Sequence, residues 1–218
     1  MILTLRVDLD YVPWDTPDAK DFGHGEPAVV IRMLESARKL GFKFHFFASN
    51  RTIRAFPAMA TAILGEGHPL DWLCKHPESM EKRWDDAQRL FDSLGEQIMG
   101  MAIRGAWPEN EASEIPDSIQ FVSTIGGDAP PCKNWFPVVS RTAREAMRAG
   151  ITTKVWADGI ADEIRSSASR NRPFILAVRP QVLAKFDPQL GHIKRLIQLG
   201  EAVGLRVGTL RERLGENK

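Results

Sequence analysis

An α/β fold, with a parallel sheet of about seven strands and helices packed outside it, is what this sequence predicts. Three observations carry that reading. Strand-like and helix-like patterns take turns along the whole 218 residues. The run Phe174–Val178 is apolar throughout, as in a strand covered on both faces. The N-terminal stretch alternates strictly: Leu3, Leu5, Val7 and Leu9 are apolar, and Thr4, Arg6, Asp8 and Asp10 are polar. A period of two describes a strand with one apolar face and one charged face, so Asp8 and Asp10 project from the same side.

The elements follow in order. After the first strand, residues 11 to 26 read as a polar loop. Pro27 suits the first position of a helix, Val30, Leu34, Ala37 and Leu40 give it a stripe, and Gly41 caps it. Gly41 to Phe47 reads as a second strand, Pro57 to Leu64 as a short helix, and the turn through Gly67 and His68 as the entry to a third strand. From Glu78 to Ile98, apolar residues at Met80, Trp84, Ala87, Phe91 and Leu94 alternate steps of four and three, the clearest helix in the chain. Ile98 to Ile103 is a strand ending at Arg104, and Ile119 to Val122 is another strand-like piece. A helix capped by Ser140 is expected up to Gly150, and a second over Ile160 to Ser169. Asp187 and Pro188 are expected to open a helix running through Val203. Leu205 to Val207 is a last strand, with Thr209 capping a closing helix.

Bulk composition bounds the function. A chain of this length with 43% hydrophobic residues makes a single domain, 1–218, with a sizeable core. A formal net charge of +1 gives no electrostatic case for nucleic acid or anionic membrane as a partner. No integral membrane segment or signal peptide is legible, because Arg6 and Asp8 interrupt the first apolar run. Cys74 and Cys132 are too few for a disulfide framework, so reduced thiols and a cytoplasmic location are expected. A homo-oligomer stays open.

In a parallel-stranded fold functional residues gather at the C-terminal ends of strands. Asp8, Asp10, Arg104 and Arg179 all fall there. Two carboxylates set together repel, and one stays protonated unless a cation stands between them. Ion pairs with Arg6, Arg104 or Arg179 are one way to supply that cation, and a metal is another.

The order of motifs adds a resemblance. Leu-Arg-Val-Asp8-Leu-Asp10, Phe44-His-Phe-Phe-Ala48, Glu66-Gly-His-Pro-Leu70 leading into Lys-His76-Pro77, Arg104-Gly-Ala-Trp107 and Leu-Ala-Val-Arg179-Pro180 together resemble the polysaccharide deacetylase family over nearly the whole chain. The resemblance implies a distorted, TIM-like (β/α) barrel. It also implies a hydrolase that removes N-acyl groups from a carbohydrate or related small molecule with a divalent metal, zinc first. The Asp-x-Asp spacing looks closer to the version in the deformylase acting on a lipid-linked aminoarabinose than to the family's usual Asp-Asp, and the resemblance implies Asp8 as general base and Asp10 with His76 as metal ligands. Arg104 and Arg179 would then bind or orient substrate, and Trp107, with Trp72, would line the substrate site.

Two departures stand against this. Trp72 occupies the place of a second metal-binding histidine, and Arg179 that of the histidine acting as general acid. A guanidinium is permanently protonated and passes no proton near neutral pH. A catalytic zinc typically needs about three protein ligands. His45 is the first candidate to substitute for the missing one, and Asp71, Cys74, His24 and His68 are the others. The alternative reading is a metal-free homologue that binds a carbohydrate or small anion. A further one is a barrel hydrolase whose Arg179 grips a phosphate.

Overall fold

The computed structural model describes residues 1–11, 26–75, 80–105, 107, 114–138 and 140–216. Among them run strands β1 (Ile2–Leu9), β2 (His45–Ala48), β3 (Leu70–Cys74), β4 (Gly100–Ile103), β5 (Phe121–Ser123), β6 (Phe174–Val178) and β7 (Arg206–Val207). Every strand pair is parallel, in the order β5-β4-β3-β2-β1-β6. Leu3 pairs with both Phe174 of β6 and Val207 of β7, so β7 sits on the edge of β1 that β2 occupies further along.

Side chains crossing the interior show that this sheet curls. In a flat sheet β1 and β5 would be about 19 Å apart, four spacings of some 4.8 Å. Yet Arg6 of β1 donates to the carbonyl oxygens of Ser123 on β5 and Ile103 on β4, each at 2.9 Å. The strands are thus the staves of an open, distorted (β/α) barrel, as expected. The core is split accordingly. Phe47, Leu73, Ala102, Phe121, Ile175 and Ala177 form a cluster inside the barrel. Leu5, Val7, Phe44, Phe46, Trp72 and Leu176 belong to the larger cluster between sheet and helices. The polar face of β1 is the inner one: Thr4, Arg6, Asp8 and Asp10 are each at most 2% exposed.

Outside the sheet lie α1 (Glu26–Leu40), α2 (Asn50–Ala55), α3 (Pro57–Gly65), α4 (Met80–Ser93), α5 (Ala143–Arg148), α6 (Thr153–Ser169), α7 (Pro180–Phe186), α8 (Gly191–Ala202) and α9 (Leu210–Glu216). No helix of the described residues is long and apolar enough to cross a membrane. Helices α2 and α7, of six and seven residues, are too short to print an apolar stripe and escape sequence reading. Two caps differ from expectation. Thr142, not Ser140, starts α5, in a capping box with Glu145. Asp187 does cap α8, but across a turn: its carboxylate accepts from the backbone N–H of Gly191, His192 and Ile193, while Leu190 takes a left-handed φ of 55°. Helix α6 begins at Thr153, seven residues before the expected Ile160, because Thr152 accepts from the Val155 N–H.

The floor of the barrel is closed by α9. The Leu210 N–H donates to His45 Nδ1 at 3.0 Å, which leaves the His45 proton on Nε2, 2.9 Å from Asp71 Oδ2. Arg211 donates to both Asp71 oxygens at 3.0 Å and to Glu96 at 2.6 Å.

Candidate functional site

The C-terminal ends of β1, β3, β4 and β6 bring five charged residues to one mouth. Leu9 ends β1, and its carbonyl accepts from the Ser49 N–H and the Thr52 hydroxyl. Gln181, in the first turn of α7, donates to the Asp10 carbonyl at 2.9 Å. Asp10 is therefore fixed from both sides. Its Oδ2 accepts from Arg104, with Arg179 Nη2 at 3.5 Å, and Lys75 Nζ lies 3.0 Å from its Oδ1. Asp8, one step deeper, is gripped at two points by Arg6, with Nε to Oδ1 at 2.7 Å and Nη2 to Oδ2 at 3.0 Å. Burial makes these pairings obligatory, because a carboxylate out of water needs its charge matched.

Two chambers flank the Asp10–Arg104 pair. The smaller, about 90 Å³, is lined by Asp8, Arg104, Arg144 and Arg179 with an apolar wall of Ile125, Val178 and Val182. The larger, about 350 Å³, is lined by Asp10, Lys75, Arg51, Arg83, Asn50 and Trp72 among others.

The remaining expected residues fall elsewhere. His45 is a correction to the expected ligand set: it lies at the start of β2, fully buried, and both ring nitrogens are engaged in the floor. Burial drives its pKa below the usual histidine value, although its bond to Asp71 works the other way. Asp71 is committed to the same network. Its burial works to raise the carboxyl pKa, but hydrogen bonds from His45 and Arg211 outweigh that and hold it down. His68 is also internal, accepting the Phe44 N–H at 3.0 Å. Trp72 is 1% exposed, donates to Asn50 Oδ1 at 2.8 Å and packs on Trp84, so it is a wall rather than an open stacking platform. Trp107 is 8% exposed and belongs to the outer core. His76 and His24 lie outside the described residues.

Sequence reading missed Lys75, Arg144, Arg51 and Arg83. Lys75 directly follows β3, so the strand-end rule that picked out Arg104 and Arg179 could also have found it. The other three project from helices, where a charged residue carries no such signal.

Among the described residues, no three of His, Cys, Asp and Glu are grouped so as to hold a metal. The described donors near the mouth also do not fit one. Asp8 spends both oxygens on Arg6, and Asp10 faces two guanidiniums and an ammonium. A divalent ion beside Asp10 would have to displace or repel these cations.

The fold so assembled is that of the CE4 polysaccharide deacetylases. A CE4 family pseudoenzyme from Bacillus anthracis superposes with a TM-score of 0.60 at 11% identity, over 97% of this chain and 64% of that one. The chain thus spans less than two thirds of the length of that neighbour. A Pseudomonas aeruginosa protein described as a probable polysaccharide deacetylase gives 0.73 at 12% identity, over 99% and 89%. The allantoinase Puue gives 0.67 at 11% identity, over 99% and 89%. No family model matches the sequence, and no curated protein matches it. At such identities the likeness is one of fold.

Proposed function

We propose that the chain binds an anionic carbohydrate or a related small anion at the barrel mouth, without a metal. The observation that carries this reading is the gathering of cations at Asp10: among the described residues, Lys75, Arg104 and Arg179 all approach this one carboxylate. Asp8 adds nothing to balance them, because Arg6 already neutralises it. Guanidiniums pair with carboxylates and phosphates at two points, and a concave cluster of them concentrates anions. Side-chain exposures of 32% for Lys75 and 18% for Arg104 leave both within reach of a ligand. The carbohydrate class is supported by the fold neighbours that are named as polysaccharide deacetylases. Cys74 and Cys132, neither of them joined in a disulfide, support a cytoplasmic location.

Calorimetric titration with glucuronate and glucose tests the reading. Glucuronate is expected to bind equally with and without EDTA, to weaken at least ten-fold in Arg179→Gln, and to leave glucose far behind. Equal binding of glucose and glucuronate, or loss of binding in EDTA, overturns it.

Metal-dependent removal of an N-acyl group is the second reading, favoured by Asp8 and Asp10 standing together at a strand end as the resemblance requires. It assigns Asp8 as base, Asp10 and His76 as ligands of a divalent metal such as zinc, and Arg104 with Arg179 to the substrate. Stoichiometric zinc, cobalt or nickel in the purified protein, lost in Asp10→Ala, would establish it over the binding reading.

A further inference from the structure

The two chambers differ in what they can hold. Small-molecule sites usually measure about 300–1,000 Å³. The larger chamber, about 350 Å³, falls within that range, whereas the smaller, about 90 Å³, admits an acid group and little more. Each is separately basic. Arg104, Arg144 and Arg179 line the smaller one beside Asp8, which Arg6 neutralises, and Glu145, which accepts from Thr142; Arg51, Lys75 and Arg83 line the larger.

Among the described residues, the one other carboxylate of the larger chamber is already taken. Asp86 is ion-paired with Arg54 and accepts from Asn50 Nδ2 at 2.7 Å. Asn50 in turn holds the indole of Trp72 at 2.8 Å, which gives the chamber a rigid wall. Among the described residues, Arg51 and Arg83 have no carboxylate partner. The chambers meet at the Asp10–Arg104 pair, since Asp10 lines one and Arg104 the other.

From this arrangement we infer that the ligand carries two acidic groups on a hydroxyl-rich frame. One acid enters the small chamber, the frame passes over the Asp10–Arg104 pair, and the second acid meets Arg51 and Arg83. This rests on the anion-binding reading and extends it. A ligand engaging both chambers at once gains because its second acid binds in an already tethered state.

The test compares galacturonate with digalacturonate, and fructose 6-phosphate with fructose 1,6-bisphosphate, by calorimetric titration. At least one diacid is expected to bind ten-fold or more tighter than its monoacid, and the pair showing the gain identifies the acids as carboxylates or phosphates. In Arg51→Gln/Arg83→Gln, two exposed positions whose replacement leaves the core untouched, that advantage is expected to vanish. Monoacids and diacids binding alike to the unaltered protein overturn the inference while leaving the anion reading intact. So does an advantage that survives in the double variant. Failure of all four probes to bind overturns both.

Discussion

Arg6 and Asp8 point inward from the same face of β1 and close a two-point ion pair, 2.7 Å from Nε to Oδ1 and 3.0 Å from Nη2 to Oδ2. The guanidinium then spends its remaining donors on the carbonyls of Ile103 and Ser123 and on the Ser123 hydroxyl at 3.0 Å. One side chain thereby neutralises an acid at the mouth and ties three strands together across the barrel.

Breaking that pair from one side should be costly. Arg6→Met leaves the Asp8 carboxylate buried beside nothing cationic on its own strand, and about 3–5 kcal/mol of stability is expected to go. Arg6→Met combined with Asp8→Asn should recover a large part of the loss, since no buried charge then stands alone. Urea unfolding of the two single variants and the double variant measures this. A double variant as unstable as Arg6→Met would refute it.

Asp10→Asn keeps the shape of the mouth and removes its one shared negative charge. Uronate affinity should rise roughly five-fold, corresponding to about 1 kcal/mol for a unit charge at some 4 Å in a water-like surrounding. Calorimetric titration reads the change directly, and a fall in affinity would show that Asp10 is needed to hold Arg104 and Arg179 in place.

His68 makes stability depend on pH. Burial, helped by the nearby Lys43 ammonium, lowers its pKa to about 4 from an ordinary 6.5. Between those values the unfolded chain takes up a proton that the native state refuses, so unfolding becomes easier as pH falls through this window. The contribution is complete above about 6.5 and is lost progressively towards 4. The urea midpoint of the protein should drop on acidification across this range, and His68→Leu should flatten the slope; an unchanged slope would mean that other groups set it.

Arg211→Ala should loosen the barrel floor. The Arg211 guanidinium donates three hydrogen bonds to Asp71 and Glu96 and two more to the carbonyls of Leu70 and Gln97. A loss of at least about 2 kcal/mol is expected, because Asp71 stays buried with fewer donors. Amide exchange should quicken first in α9, and uniform quickening throughout the molecule would contradict a local latch.

Asp187→Ala removes a carboxylate that receives three backbone N–H groups at the start of α8. The expected cost is about 1–2 kcal/mol, the upper part of the range for a helix cap. Asp187→Asn should keep much of it. Thermal unfolding of the two variants separates capping from simple side-chain loss.

Much of the fold was legible because strands covered on both faces print continuous or alternating apolar runs, as in β1 and β6. The Asp8–Asp10 pair and the strand-end positions of Arg104 and Arg179 were legible for the same reason, since period and position are both local properties. Arg6, Arg104 and Arg179 stand out in the sequence as possible partners of the two acids, but which arginine meets which acid does not. Alternation marks Thr4, Arg6, Asp8 and Asp10 as one charged face of β1, but only the curl of the sheet shows how completely that face is enclosed. His45 could pass for a metal ligand until Leu210, far along the chain, was seen to claim its second nitrogen. Helices α2 and α7 stayed hidden because each is shorter than two full turns of amphipathic pattern.

The first strand is an interior one, between β2 and β6, and its neighbours β6 and β7 come from the far end of the sequence. During synthesis β2 can cover one edge early, at Arg6 to Leu9, but the opposite edge must wait until β6, nearly the whole chain later, has left the ribosome. Long-range pairing of this sort makes folding slow and exposes nascent chains to clumping. Arg6 and Asp8 carry charge along the waiting strand, and charged side chains on an exposed strand discourage pairing with other chains.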